Sequence, residues 1–401
     1  MFGRSKSKKN VFHRKVSPAE KVFVIYNKNN LPVVIHSVLE GTGNLDESLW
    51  KEAVAAACEA NPGSRLIYNG RWTLGAKWVD SGAPPPIRCI EGSHWSGYDS
   101  ENAPFLFEPL PFKNSHSSEI LLVKSNPPRV IFRAFHATMD GGGLVLWMLD
   151  IFRALRKEPL VGSNSASNDS DLVAKLKFAP KRLPKNIACL SPTGLPEGSE
   201  KGLIWKRTTI EGRFSKLLPQ LALAIAKEAR KQGPGNVRLA IPLDLRKRVP
   251  NLIDIGNLTR RILLDVPPDA TVESIQQDLK DQLDNLNSDS IRTLLIHLPM
   301  GLIAKLLKTR IEKNWNAGFF VDTGTISNLG RMPMEKLHGG GFKAEACYFL
   351  PPELPGKPSF ITMSGTEKSV EMITTMPKML ASNGRLDTFI ANIVAELKPN
   401  C

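Results

Sequence analysis

The chain has 401 residues, of which 42% are hydrophobic and 23% charged, and it carries a formal net charge of +14. This mixture reads as globular rather than disordered and is long enough for two lobes. It holds no apolar run of 18 residues that would span a membrane. Five scattered cysteines, Cys58, Cys89, Cys189, Cys347 and Cys401, form no Cys-x-x-Cys pair, which argues against a structural zinc site and fits a reducing compartment, here the cytoplasm.

The first fifteen residues carry Arg4, Lys6, Lys8, Lys9, Arg14 and Lys15 and no acidic residue. No apolar segment follows, so this stretch is not a secretory signal; residues 1–17 read as a basic, disordered tail. A positive excess suits nucleic acid, a phosphorylated donor or an acidic carrier protein. No zinc-finger, basic-zipper or RNP1-type sequence accompanies it, so nucleic acid is not the expected partner.

In chain order, residues 21–25 (Lys-Val-Phe-Val-Ile) and 31–38 read as β-branched strands. A helix follows over 45–60, stopped by Asn61-Pro62-Gly63. Strands are expected at 66–68 and 72–79. Residues 81–112, rich in proline and aromatics, read as an irregular connection. Two further strands, 119–124 and 129–135, lead into a turn over 136–143. The helix 143–156 after it places Leu144, Trp147, Met148, Ile151 and Leu155 on one side. Residues 161–171 are small and polar and read as a linker. The second half reads as strands at 202–210, 236–242, 258–266, 324–328, 342–350, 360–364 and 370–375. Its helices are expected over 213–232, 272–286, 291–308 and 385–397. Mixed strands and helices in both halves predict an α/β (α+β) fold in two lobes, residues 18–175 and 176–401.

Seven histidines supply the candidate chemistry. His13 lies in the tail, and His94, His116 and His338 lie in polar or glycine-rich loops. His36 sits in an apolar strand, where a satisfied core histidine is expected, and His297 reads as part of a helix face. No two have metal-ligand spacing, so no metal site is expected. His136 differs: it follows the apolar run 130–135 and precedes three glycines and an apolar helix. A strand-to-helix turn there holds the imidazole at the mouth of a cleft. Asp140 and Gly141 supply a helix cap and a permissive backbone, and an ordinary capped turn explains the pattern equally well.

His136-Ala-Thr-Met-Asp140-Gly141 resembles the His-x-x-x-Asp-Gly motif of the coenzyme-A-dependent acyltransferase superfamily. That superfamily holds chloramphenicol acetyltransferase, alcohol acetyltransferases and the condensation domains of nonribosomal peptide synthetases. Three more segments resemble it in order: residues 45–66, Pro242-Leu-Asp244-Leu-Arg246 with Ile255-Gly256-Asn257, and Ile326-Ser327-Asn328-Leu329-Gly330. Two features depart from it. Phe135 stands where condensation domains place a first histidine, and the Asp-Phe-Gly-Trp-Gly motif is missing.

The resemblance implies two chloramphenicol-acetyltransferase-like lobes forming a V with a tunnel between them. It implies acyl transfer from a thioester, acyl-CoA or a phosphopantetheinyl carrier, to a small-molecule hydroxyl or amine, in a monomer without a tightly bound cofactor. His136 would be the general base. Asp140 would be a structural brace paired with Arg246 of the second lobe, and Gly141 and Gly142 would allow close approach near the thioester. Ser327 or Asn328 would donate to the oxyanion, and Met139 and Gly142 would line the substrate pocket. Alternative readings are a carrier-protein-dependent amide-forming condensation enzyme and a catalytically silent recruitment module.

Overall fold

A computed structural model describes residues 12–28, 32–70, 75–111, 115–177, 179–181, 187–285, 287–289 and 300–399. Its first strands are β1 (His13–Lys15), β2 (Val34–Gly43), β3 (Leu66–Asn69), β4 (Lys77–Asp80), β5 (Ile87–Glu91), β6 (Ser118–Lys124) and β7 (Arg129–Phe135). Then come β8 (Ala179–Lys181), β9 (Leu203–Glu211), β10 (Arg238–Asp244), β11 (Thr259–Asp265), β12 (Asn287–Asp289) and β13 (Gly324–Arg331). The last are β14 (His338–Gly339), β15 (Phe342–Leu350), β16 (Phe360–Gly365) and β17 (Ser369–Pro377). They build two six-stranded sheets, ordered β14-β15-β2-β7-β6-β5 and β11-β10-β13-β16-β17-β9. A small sheet β1-β4-β3 and the pair β12-β8 complete the set. The helices that position the site are α1 (Pro18–Lys28), α2 (Glu47–Ala60), α3 (Gly141–Leu155) and α4 (Asp169–Lys175).

Strand β7 shows why the lobes meet where they do. All seven of its residues are buried, so both faces need cover. Val130, Phe132 and Ala134 pack with Trp50 of α2 and with Leu144, Trp147, Met148 and Ile151 of α3. The period-two alternation turns Ile131 the other way, into a cluster with Trp205 and Ile373 of the second sheet. Arg129 and Arg133 share that face, 2% and 0% exposed. Each is paired where it is buried: Arg129 Nε lies 2.7 Å from Glu40 Oε2, and Arg133 meets Glu119. Arg207 of β9 reaches Glu40 at 3.3 Å and Glu371 at 2.7 Å, tying the second sheet to the first.

The structure differs from the sequence reading at several places. Residues 21–25, read as a strand, lie inside α1; the local β-branched content yields to helix packing, with Val24 and Ile25 fully buried beside Trp78. The expected tail is ordered from residue 12, since β1 pairs with β4 and Arg14 is 5% exposed against Glu20; residues 1–11 lie outside the described residues. The connection 81–112 contains β5, which adds a parallel edge to β6.

The linker is strapped down rather than free. Val161 N and Gly162 N donate to Asp150, Asn164 N donates to the Ile253 carbonyl, and Ile253 N donates to Asn164 Oδ1. A boundary at 175 also fails to separate the sheets, because β15 pairs antiparallel with β2. The expected helix over 291–308 is described as Met300–Asn316, and its first residues, with His297, lie outside the described set.

Glu20 also accepts from the Ser17 amide at 2.8 Å and from Trp78 Nε1 at 3.1 Å. Glu20→Ala strands the Arg14 guanidinium in the interior and is expected to cost about 3–5 kcal/mol, read as a lower urea midpoint at unchanged slope.

Candidate active site

The turn after β7 is held from several sides. His136 N donates to the Val33 carbonyl at 2.9 Å, and Thr138 N and Oγ1 both donate to the Phe135 carbonyl, at 2.8 and 2.9 Å. From the second lobe, Asn257 Nδ2 donates to the His136 carbonyl at 2.6 Å. Arg14 Nη2 reaches the Thr138 carbonyl at 3.3 Å. The backbone that carries the imidazole is therefore fixed by three separate segments of the chain.

The ring is fixed as well. Nδ1 lies 3.2 Å from the Met139 carbonyl oxygen, which can only accept, so Nδ1 carries the proton and a neutral ring presents its lone pair at Nε2. Phe23 of α1 stacks on the ring, with centroids 4.8 Å apart and planes 30° apart. Burial pulls the pKa below the ordinary 6.5 and outweighs the Met139 carbonyl and the Asp140 charge, which push it up. The imidazole is thus neutral at pH 7.

Asp140 does not contact the imidazole through any hydrogen bond; it caps α3, accepting from Gly143 N at 2.8 Å. Its carboxylate also takes Arg246 Nη1 at 3.0 Å (Oδ1), Leu258 N at 2.7 Å and Thr259 Oγ1 at 2.8 Å. Burial raises the Asp140 pKa, but Arg246 and these donors outweigh it and hold the group below the ordinary 3.8. Arg246 is itself 7% exposed and also bonds Asp244 Oδ1 at 2.9 Å and the carbonyls of Asp254 and Gly256. An ion pair joining the lobes is thereby fully hydrogen-bonded.

The glycines after Asp140 let the lobes approach. A Cβ on Gly143 would stand 2.0 Å from the Ile255 carbonyl oxygen, and one on Gly141 would stand 2.7 Å from Leu329 Cδ2. Gly142, expected in the pocket, instead faces Asp244 and Arg246. Met139, also expected there, is 1% exposed in the first-lobe core; its backbone carbonyl rather than its side chain serves the site.

Between the lobes lies a cavity of about 260 Å³, walled by Phe23 and Tyr26 of α1, by His136 and Gly141, and by Ser327 and Thr362 of the second sheet. Arg260, Arg261 and Lys357 also reach it. Arg260 pairs with Asp169 at 3.1 Å and Lys357 with Asp322. Ser327 and Leu329 line the cavity, whereas Asn328 turns outward and accepts from Gly330 N at 2.9 Å. Among the described residues no group of three His, Cys, Asp or Glu side chains is placed to hold a metal ion. No described helix is long and apolar enough to cross a membrane.

Phe23, Arg14 and Asn257 escaped the sequence reading as site residues. Phe23 was hidden by reading its helix as a strand, and Arg14 by reading it as tail. Asn257 lay inside the Ile255-Gly256-Asn257 resemblance without a role.

No family sequence model matches the chain, and no curated protein sequence does. Solved structures do. The first condensation domain of the CDA synthetase superposes with a TM-score of 0.64 at 14% identity, over 96% of this chain and 95% of that one. The starter condensation domain of rhizomide synthetase RzmA in complex with C8-CoA and Leu-SNAC gives 0.64 at 13%, over 96% and 93%. The condensation domain of Monacolin K polyketide synthase MokA gives 0.60 at 11%, over 98% and 99%.

Gly143→Ala is expected to cost at least about 1–3 kcal/mol, because the new methyl meets backbone rather than a movable side chain; thermal unfolding checks it. Asp140→Asn should cost about 3 kcal/mol at pH 7, since Arg246 loses a buried countercharge. The sign follows from the lowered pKa: the wild-type advantage is full above the unfolded carboxylate range and fades as pH falls through the folded value. The wild-type and variant stability curves should therefore converge in acid. At this identity the similarity establishes architecture: the chain has the two-lobed condensation-domain fold.

Proposed function

We propose that the chain transfers an acyl group from a thioester to a hydroxyl or amine in the inter-lobe cavity, with His136 as general base. The observation that carries this reading is the ring's hydrogen bond to the Met139 carbonyl, which leaves Nε2 of a neutral imidazole as the free acceptor on a cavity wall. The acceptor O–H or N–H gives its proton to Nε2 as the oxygen or nitrogen attacks the thioester carbonyl. The tetrahedral intermediate collapses, the C–S bond breaks, and the imidazolium returns the proton to the leaving thiolate. No covalent enzyme intermediate is needed.

Ser327, rather than Asn328, has the position to donate to the oxyanion, since it alone of the two lines the cavity. Asp140 and Arg246 act by holding the lobes at a fixed distance. Arg261, which forms no ion pair among the described residues, adds a positive charge to the cavity beside Arg260 and Lys357, whose charges are met by Asp169 and Asp322. This suits a phosphate-bearing donor such as acyl-CoA or a phosphopantetheinyl carrier. A carrier-dependent, amide-forming condensation reaction fits the same site, and the likeness to condensation domains favours keeping it as the second reading.

Offering one acyl group on coenzyme A and on a phosphopantetheinyl carrier protein, with product read by mass spectrometry, separates the two. Turnover from CoA supports the free-standing acyltransferase, and turnover from the carrier alone supports the condensation enzyme. No product from either across a panel of alcohols and amines would favour a silent module. His136→Ala should lower kcat by roughly 10²–10⁴ without a matching loss of stability. The wild-type rate should rise with pH through an inflection below 6.5, because burial depresses the base's pKa.

A further inference from the structure

A second, smaller cavity of about 40 Å³ adjoins the reaction cavity. Two cross-strand pairs form its walls, one from each large sheet: His36 of β2 opposite Leu350 of β15, and Trp205 of β9 opposite Thr375 of β17. Leu350 and Pro351 line both cavities, so these two residues form a shared wall. Glu353 completes the smaller one.

His36, Trp205 and Thr375 are 6%, 3% and 5% exposed. Each has a polar atom with no hydrogen-bond partner among the described residues: His36 Nδ1, Trp205 Nε1 and Thr375 Oγ1. Such atoms occur elsewhere among the described residues, but three gathered on one small cavity offer their hydrogen bonds to a single polar group. His36 is half satisfied, not the fully satisfied core histidine its strand suggests. Its Nε2 lies 3.0 Å from the Leu106 carbonyl and 3.2 Å from Arg133 Nε, and either assignment leaves Nδ1 unused. Glu353 has no ion-pair partner among the described residues, and burial raises its pKa.

The charges around the cavity select the ligand class. An anion would meet the Glu353 carboxyl. A cation would give up its hydration in a small cavity with mostly apolar walls, and the Arg133 charge behind His36 is already met by Glu119. Trp205 Nε1 can only donate, while Thr375 can do both. We propose that this cavity binds an uncharged group that both donates and accepts hydrogen bonds, a primary carboxamide, whose size of roughly three non-hydrogen atoms suits the space. The group belongs either to one end of a substrate seated at His136 or to a separate small molecule. Only this last choice rests on the acyl-transfer reading.

The full chain, labelled with ¹⁵N, provides the test. The indole signal of Trp205, assigned by its loss in Trp205→Phe, is followed while acetamide, acetate or methylammonium is added. Acetamide alone should shift it saturably. Thr375→Val should weaken acetamide by about tenfold, the loss of one good hydrogen bond, and Thr375→Ser, which keeps the hydroxyl, should bind within about twofold of wild type. The proposal is overturned if acetamide gives no saturable shift, the outcome when water alone occupies the cavity. It is equally overturned if acetate or methylammonium matches acetamide, or if Thr375→Val binds as wild type does. Repeating the titration in His136→Ala should give the same affinity, so a failure of the acyl-transfer reading would not obscure the result. In turnover, competition between acetamide and the acceptor assigns the site to the substrate, and binding without competition assigns it to a separate molecule; both outcomes support the site.

Discussion

The carboxylate of Asp140 is the point on which the architecture turns. It sits at the start of α3 in one lobe and takes donors from Arg246, Leu258 and Thr259 of the other. A buried carboxylate with fewer partners would be unstable or protonated. With these it is ionised, and its position fixes how closely the lobes approach. Gly143 makes the distance possible, because any side chain there would collide with the Ile255 carbonyl. The charge is thus satisfied from both lobes, next to the cavity that His136 lines.

That arrangement separates two tasks that a His-x-x-x-Asp spacing might suggest are shared. Asp140 is saturated by other donors, while the imidazole takes its orientation from the Met139 carbonyl and from stacking on Phe23. A histidine ion-paired to a carboxylate would have a raised pKa, and less of it would stand in the neutral, proton-accepting form at pH 7. Here burial lowers the pKa, and Asp140 opposes this only as the last of the contributions. The site is therefore built to keep a neutral ring, with the charge that holds the lobes together spent elsewhere.

Much of the fold was legible in the sequence wherever the alternation of apolar residues was strong. The strand over 342–350 coincides with β15, and the helix around Trp147 and Met148 differs from α3 by two residues at its start. Legibility failed where tertiary contacts override local preference. Lys-Val-Phe-Val-Ile has strand composition, yet it lies in a helix because Glu20 and Ser17 begin one and Trp78 covers it. Nothing local pairs Asp140 with Arg246, which lies 106 residues away; only the family resemblance brought them together. The unpartnered atoms of His36, Trp205 and Thr375 were invisible for the same reason, since each looks ordinary in its own strand.

The central claim is that His136 is a neutral base with its proton on Nδ1. The direct measurement is ¹⁵N NMR of the imidazole ring across pH, with the His136 signals assigned by their loss in a His136 variant. The account predicts a neutral ring at pH 7, an Nδ1–H tautomer, and a pKa below 6.5. An imidazolium at pH 7, or a neutral ring protonated at Nε2, would contradict it.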